Sequence, residues 1–330
     1  MLKKLDVTID RLRKDLTGGA SQTAREVAEC LAAVCEAAGS EPEIAVKSLE
    51  DASRSILQVQ PFMASIKHVV NLGLTNAQSL AAEWDGTGHF GRAVAAGFRE
   101  FNERSQDATE QIAKAGARRI AGKRRVFVFS LSGTVMAVME EAAKTVSPLP
   151  HVVITEAKPG CEGIEAARLM GEMGYDVTLM ADAAIVLAVK NCDYALVGAD
   201  SVSSTGDMVN KTGTAMAAVC CRHSNVPFAV ATESYKFDPA TILGFPHQNL
   251  QGRAEQIVDG KVHENVEIDN PQVDATPAEL ITEYITELGI WGGEAYHRLA
   301  PASALNPRFV KIVEDLSTDP FYLAARRESL

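Results

Sequence analysis

Apolar residues recur at three- and four-residue spacing along the first third of the chain, a pattern typical of amphipathic helices. The clearest examples are LDVTIDRLRKDL and TAREVAECLAAVCEAA, and a third helical segment follows with an interruption at Pro61. No strand pattern comes before Arg124. The charged, glycine-containing stretch at residues 113–125 indicates a boundary, so the sequence predicts a helical domain over residues 1–118.

After this boundary the period changes, because short runs rich in Val and Ile alternate with amphipathic segments. The runs are VFVFS, HVVIT, DVTLM, YALVG and FAVAT. Helices are predicted between them over Thr134–Lys144, Cys161–Met173, Ala181–Val189 and Thr212–His223. Strands that alternate with helices form a parallel sheet with right-handed crossovers. We therefore expect an α/β domain over residues 119–330, with a further helix in ATPAELITEYITELGIW opened by Pro277.

Composition narrows the class of protein. The 330 residues carry a formal net charge of −11, which disfavours a general nucleic-acid-binding surface. The first twenty residues lack the continuous apolar stretch of a secretory signal or a membrane span. We therefore expect a cytoplasmic location and no association with a membrane. The six cysteines lack the spacing of a zinc knuckle, and we expect no metal and no cofactor.

Polar residues follow four of the predicted strands. These segments are Ser130–Thr134, Glu156–Gly163, Gly198–Asp200 and Glu233–Phe237. In an open parallel sheet, ligands bind in the crevice at the carboxyl ends of the strands. The four segments are therefore the places where chemistry is expected.

The loop after the fourth run, SVSSTGDMVNKTGT, leads to a predicted helix start near Thr212. A helix amino terminus attracts anions, and Asn210 and Lys211 add a donor and a positive charge, so a phosphate would fit there. The alternative is that Asn210 or Thr212 only caps the helix and that Lys211 is solvated. Asp200 is a candidate general acid or base, or else an acceptor for backbone N–H groups of its own loop.

The end of the first predicted strand carries two serines. Ser130 and Ser132 stand at a strand-to-helix turn, but glycines do not flank Ser130 as they flank a nucleophilic serine, and no partner histidine is placed by the sequence. Helix capping by Ser132 is the favoured interpretation. The same turn reads Ser132-Gly133-Thr134 instead of Gly-x-Gly-x-x-Gly, which argues against a dinucleotide-dependent oxidoreductase.

The run GADSVSSTGDMVNKTGTAMAAVCCRHSNVPFAVATESYKFDP resembles the carboxy-terminal stretch shared by a family of translation factors and sugar-phosphate isomerases. The family comprises the alpha, beta and delta subunits of initiation factor 2B, ribose-1,5-bisphosphate isomerase and methylthioribose-1-phosphate isomerase. SLSGTVMAVMEEAAK and HVVITEAKPGCEGIEAARLMGEMGYDVTLMADAAIVLAV extend the likeness, and it is faint in the amino-terminal third. The resemblance implies a helical amino-terminal domain, a Rossmann-like carboxy-terminal domain with helices on both faces, and a homodimer or larger homo-oligomer.

The resemblance also implies roles for individual residues. Asp200 matches the Asp that donates a proton in the isomerases, and Asn210 and Lys211 match the Asn-Lys pair that binds substrate. Lys236 matches a lysine that contacts phosphate in the ribose-bisphosphate enzyme. The other residues expected to contact a ligand are Gly19, Ala20, Ser132, Lys158 and Glu162.

The sequence departs from the family pattern at several of these positions. Ser130 stands where the isomerases carry a catalytic Cys, and a hydroxyl is a far weaker acid than a thiol. Gly18 replaces the Arg of an Arg-Gly-Ala phosphate loop, Gln60 replaces an Arg before Pro, and Lys158 replaces an Arg before Pro. Bidentate recognition of phosphate is weakened, because these residues lack the planar guanidinium fork.

Two functions remain open from the sequence. The first is an initiation-factor-2B-like protein that binds a phosphorylated sugar or nucleotide without the standard isomerase activity, with a translation GTP-binding factor as a possible partner. The alternative is an aldose-ketose isomerase of a sugar 1-phosphate that uses Asp200 as proton donor and an unconventional second group, for which Cys161 is the nearest candidate thiol.

Overall fold

The computed structural model describes residues 2–14, 19–245, 251–260, 262–294 and 305–318. These residues form two compact units. The helical unit contains the described residues of Met1–Asp107, Tyr235–Pro246 and Pro301–Arg327, and the sheet unit contains those of Ala108–Ser234 and His247–Ala300. This division differs from a single boundary between residues 118 and 119, because two late segments belong to the unit built by the early helices.

The helical unit is built from long amphipathic helices, as their periodicity predicts. They are α1 (Leu2–Lys14), α2 (Ala20–Ala38), α3 (Pro42–Val59), α4 (Ala64–Glu83), the first part of α5 (Phe90–Ile120) and α10 (Pro307–Ser317). Residues at three- and four-residue spacing, such as Val27, Leu31 and Val34 on α2, enter one buried apolar cluster. Residues 113–120 continue α5 and do not form the boundary segment expected from their charge and glycine content.

A buried ion pair fixes residues 235–245 within the helical unit. Lys67 Nζ on α4 lies 2.7 Å from Asp238 Oδ2, and their side chains are 8% and 2% exposed. Asp238 Oδ1 also accepts a hydrogen bond from the backbone N–H of Ala240, in a short 3-10 helix that begins at Pro239. Both oxygens of this carboxylate are therefore satisfied away from water, as a buried charge requires.

The sheet unit contains the five predicted strands, and all five are confirmed. They are β1 (Arg125–Val128), β2 (His151–Thr155), β3 (Val177–Met180), β4 (Tyr194–Val197) and β7 (Phe228–Ala231). The helices between them are α6 (Gly133–Thr145), α7 (Glu162–Glu172), α8 (Ile185–Val189) and α9 (Thr214–Ser224). These strands pair in parallel in the order β7-β4-β1-β2-β3, which is the expected Rossmann-like arrangement.

Helices cover both faces of this sheet, because alternate residues of each strand enter different cores. Phe127 and Ala195 pack in a cluster with residues of α8 and α9. Val126 and Leu196 pack in a second cluster with residues of α6 and α7. Strands that are buried on both faces explain the continuous apolar runs in the sequence.

The prediction of a helix in ATPAELITEYITELGIW is wrong. This region forms β8 (Val273–Thr276), β9 (Glu283–Thr286) and β10 (Gly289–Gly292). β9 pairs in parallel with β7, and β10 pairs antiparallel with β9, which completes a seven-stranded sheet. All four residues of β9 are buried, and a continuous buried run of this length does not show whether it is a helix or a strand.

The segment before α9 also differs from the expected loop. It forms β5 (Ser201–Val202) and β6 (Met208–Lys211), which join β8 in a separate three-stranded antiparallel sheet. Asn210 and Lys211 therefore lie on a strand, and α9 begins at Thr214 instead of Thr212. In the described part of the chain, no helix is long and apolar enough to cross a membrane.

Replacing Lys67 by methionine should destabilise the helical unit strongly. The change leaves the Asp238 carboxylate buried without its cation, at a cost of about 3–5 kcal/mol in the free energy of unfolding. The matched control is Lys47→Met, because the Lys47–Asp51 pair is 65% and 59% exposed and should contribute less than about 1 kcal/mol. Urea denaturation checks both values, and equal effects of the two substitutions would contradict this assignment.

The stability of the protein should also depend on the protonation of His68. The ring of this half-buried side chain lies 6.3 Å from the rings of Phe101 and Tyr235, and burial lowers its pKa from 6.5 to about 4. Because the unfolded chain takes up the proton first, stability should fall as pH drops from 6.5 towards 4, by no more than about 3 kcal/mol. The loss should shrink in His68→Gln and persist in the exposed control His223→Gln, measured as denaturation midpoints across this range.

Candidate functional site

The carboxyl ends of β1, β2, β4 and β7 lie at one edge of the sheet unit, because the four strands are parallel. Ser130 follows β1 in a left-handed conformation, with φ at 61°, and its side chain is buried. Ser132 Oγ accepts a hydrogen bond from the backbone N–H of Val135 at 3.4 Å, which confirms Ser132 as the cap of α6. A Cβ at Gly198 would lie 2.2 Å from Ser132 Oγ, so glycine is needed for the end of β4 to approach this cap.

The turn from β2 to α7 is held by backbone hydrogen bonds to one carboxylate. Asp182 accepts the N–H groups of Ala157 and Lys158 at 2.9 and 2.7 Å. The side chain of Lys158 is exposed, with its Nζ 3.9 Å from Glu156 Oε1. A Cβ at Gly163 would lie 1.9 Å from the carbonyl oxygen of Thr155, so only glycine allows α7 to start this close to the strand.

Glu162 and Lys211 form an ion pair within the sheet unit. Lys211 Nζ lies 2.6 Å from Glu162 Oε1, and the two side chains are 16% and 23% exposed. The second oxygen, Glu162 Oε2, is buried and has no hydrogen-bond partner among the described residues. The pair connects the first residue of α7 to the last residue of β6, and it leaves one acceptor without a donor.

Asn210 precedes Lys211 on β6 and is buried. Its Nδ2 donates to Thr214 Oγ1 at 3.1 Å, and that hydroxyl donates to the carbonyl oxygen of Lys211 at 2.5 Å. The amide is therefore held in position by the first residue of α9. Neither Asn210 nor Thr212 caps α9 with its side chain, because Thr212 Oγ1 donates to the carbonyl oxygen of Pro271 at 2.7 Å.

The amino terminus of α9 already holds an anion, which is the side chain of Asp274. Its carboxylate accepts the N–H of Gly213 at 2.6 Å and that of Ala215 at 3.1 Å. Burial raises the pKa of Asp274, and the two backbone hydrogen bonds oppose this shift. The expected phosphate at this helix start is therefore replaced in the structure by an internal carboxylate, which satisfies the same N–H groups.

Asp200 lies directly after β4, where its side chain is exposed. Its backbone N–H donates to the carbonyl oxygen of Val209 at 2.9 Å, so the residue stands at the start of the small antiparallel sheet. Exposure makes the carboxylate accessible to a ligand. It lies in the same unit as Ser130, Asn210 and Lys211.

The other predicted ligand residues lie in the helical unit. Gly19 is exposed and precedes α2, whose first turn has no side-chain cap. Ala20 is buried, and its carbonyl oxygen accepts from Ser65 Oγ at 3.0 Å. Lys236 is buried. Gln60, at the position of a family arginine, is also buried, and its Oε1 has no partner among the described residues.

Two carboxylates of the sheet unit, one buried and one half-buried, were not among the predicted site residues. Glu233, after β7, accepts from Thr134 Oγ1 at 3.0 Å and from Thr109 Oγ1 at 3.4 Å. Asp274 is a single acidic residue in a polar stretch and has no motif around it. Polar residues after β7 pointed to the position of Glu233, whereas no sequence signal indicated Asp274. No cluster of three or more metal-ligating side chains occurs among the residues that the structure describes.

Comparison with known proteins extends the likeness to almost the whole chain. A translation initiation factor eIF-2B subunit 2-like protein of Pyrococcus furiosus is 29% identical over 87% of this chain and 96% of its own length. The ribose 1,5-bisphosphate isomerase of Methanocaldococcus jannaschii is 35% identical over 58% of this chain and 62% of its own.

Solved structures agree with these relatives. The translation initiation factor eIF-2B of Pyrococcus horikoshii OT3 matches with a TM-score of 0.71 and 25% identity, over 87% of this chain and 96% of its own. A chain of the tetrameric eIF2B-beta2-delta2 complex from C. thermophilum also has a TM-score of 0.71, at 18% identity, over 90% of this chain and 92% of its own. The model of the initiation factor 2 subunit family matches residues 16–293. The chain therefore belongs to the initiation factor 2 subunit family.

Proposed function

We propose that the sheet unit binds a phosphorylated sugar or nucleotide at the carboxyl ends of its strands, without the standard isomerase reaction. The observation that carries this proposal is the ion pair of Lys211 with Glu162, which holds a largely buried ammonium group at the end of β6. An ammonium group has three N–H donors, so the contact with Glu162 leaves donors for a further acceptor. A phosphate oxygen on the ligand supplies that acceptor.

The second oxygen of Glu162 favours a ligand that carries hydroxyl groups. Glu162 Oε2 is buried without a donor among the described residues, and an unsatisfied buried acceptor costs about 1–3 kcal/mol. A sugar hydroxyl would donate to it while the phosphate contacts Lys211. This combination favours a sugar phosphate or a nucleotide over inorganic phosphate alone.

The residue after β1 argues against isomerase chemistry of the usual kind. The resemblance places a catalytic Cys at this position, and Ser130 provides a hydroxyl that does not ionise near neutral pH. Cys161 is the alternative thiol, and among the described residues its Sγ makes a single weak hydrogen-bond contact, of 3.9 Å to the carbonyl oxygen of Pro159. Neither residue has a described basic side chain in hydrogen-bond contact that would activate it.

Isomerisation of a sugar 1-phosphate remains the second candidate. The identity of 35% to a ribose 1,5-bisphosphate isomerase favours it, and so does the exposure of Asp200, the residue that matches the family's proton donor. In that reaction Asp200 would transfer a proton to the sugar, and Asn210 and Lys211 would hold the substrate.

We further propose that the chain acts in the cytoplasm as a homodimer or larger homo-oligomer, with a translation GTP-binding factor as a possible partner. The family membership supports the setting in translation. One similar structure is a tetrameric complex of beta and delta subunits, which supports assembly into a complex.

Lys211→Ala should weaken the binding of ribose 5-phosphate by about tenfold or more, because a charged hydrogen bond contributes about 1.5–3 kcal/mol. The matched control is Lys144→Ala, which removes an exposed lysine paired with Glu140. Isothermal titration calorimetry compares both variants with the unmodified chain, and adenosine monophosphate and ribose 1,5-bisphosphate serve as further probes. Unchanged affinity in Lys211→Ala would remove this lysine from the binding site.

The absence of isomerase activity can be tested directly. The purified chain should convert neither ribose 1,5-bisphosphate nor methylthioribose 1-phosphate to a ketose phosphate, followed by carbon-13 NMR. Turnover that is lost in Asp200→Asn, but retained in the exposed control Asp269→Asn, would instead establish the second candidate. Because Asp200 is exposed, Asp200→Asn should leave the thermal unfolding temperature nearly unchanged.

A further inference from the structure

The turn that follows Lys211 is held from one side by β8 and by the residues directly before it. Lys211 is the last residue of β6, and α9 begins at Thr214. Between them, Thr212 donates its backbone N–H to the carbonyl oxygen of Gln272 at 3.1 Å and its hydroxyl to that of Pro271 at 2.7 Å. The course of the backbone after Lys211 is therefore set by contacts with a distant part of the sequence.

Asp274 completes this support with its side chain. Its carboxylate accepts the N–H of Gly213 at 2.6 Å and that of Ala215 at 3.1 Å, two donors that have no acceptor within the helix itself. Gly213 is left-handed, with φ at 103°, and a Cβ there would lie 2.6 Å from Phe129 Cζ. The turn is therefore packed against the residue before Ser130, in a conformation that favours glycine, and Asp274 supplies the acceptor that this turn needs.

The register of the small antiparallel sheet places Asp274 opposite Asn210. Side chains of directly opposed residues lie on the same face of a sheet, so both side chains meet the first turn of α9. Asn210 Nδ2 donates to Thr214 Oγ1 at 3.1 Å, and Asp274 binds the N–H groups on either side of Thr214. The hydroxyl of Thr214 in turn donates to the carbonyl oxygen of Lys211 at 2.5 Å. A shift of the helix start would therefore move the Asn210 amide and the Lys211 backbone together.

We infer that Asp274 is a positioning residue of the ligand site, which fixes the start of α9 and so holds Asn210 and Lys211 in the arrangement that binds a phosphorylated ligand. This inference rests on the function proposed above for Lys211. It requires no contact between Asp274 and the ligand, because the carboxylate is engaged by backbone N–H groups. Binding groups keep their affinity only when their neighbours hold them to within about 0.5 Å, and Asp274 is such a neighbour.

Asp274→Ala should weaken the binding of ribose 5-phosphate to the full chain by about tenfold or more, measured by isothermal titration calorimetry. Asp274→Asn, which keeps one acceptor in a side chain of the same size, should weaken it less. The matched control is Asp193→Ala, because Asp193 also accepts two backbone N–H groups, those of Arg124 and Arg125 at 2.7 and 3.0 Å, but at the amino ends of β1 and β4. This control should lower the thermal unfolding temperature as Asp274→Ala does, without a change in affinity.

The side-chain amide of Asn210 gives a second measurement that needs no ligand. Its nitrogen-15 NMR resonance, identified by its loss in Asn210→Ser, should shift in Asp274→Ala and stay in place in Asp193→Ala. The inference is overturned by an unchanged Asn210 resonance in Asp274→Ala, by equal affinities of Asp274→Ala and the unmodified chain, or by an equal loss of affinity in Asp193→Ala. An unmodified chain that binds no ribose 5-phosphate would instead contradict the proposed function, and with it the role of Asp274 in binding.

Discussion

The buried ion pair of Lys67 and Asp238 determines where the chain goes after β7. Two charges that are almost fully removed from water are tolerated only while they stay paired and hydrogen-bonded. Separating α4 from residues 235–245 would therefore have a large free-energy cost. β7 ends at Ala231, and four residues later the chain is part of the helical unit. Lys236, which the sequence groups with the strand ends, is consequently packed among helices. The presence of residues 235–245 in the helical unit follows from this constraint, which no local pattern in the sequence expresses.

Most of the sheet unit could be predicted because burial on both faces gives its strands an unusual signature. Runs such as VFVFS and FAVAT are too short for helices and are separated by amphipathic segments, so their type and order follow from pattern alone. The same reasoning failed at residues 276–292. EYIT is as buried as the runs VFVFS and FAVAT, but its neighbours in the sequence contain Glu and Leu at helical spacing. Its conformation depends on its pairing with β7. β5 and β6 are short, and they exist because β8 pairs with β6 from more than sixty residues away.

The position of the site could be predicted from the sequence, but the ion pairs between its side chains could not. Parallel strands bring their carboxyl ends together, so Ser130, Glu162 and Asp200 were found from topology and resemblance. That Lys211 would pair with Glu162 depends on how β6 lies against the start of α7, and that arrangement is set by tertiary packing.

Asp274 allows the sheet unit to tolerate changes in the length of the connection before β8. Its carboxylate is held by the start of α9, while β8 is hydrogen-bonded along β6, so the end of the long connection after residue 245 is anchored by side chain and backbone together. Insertions or deletions within that connection would therefore not change the positions of Asn210 and Lys211. Relatives of this chain could therefore differ in the length of the connection while the geometry of β6 stayed constant. New contact surfaces could then evolve beside an unchanged ligand site.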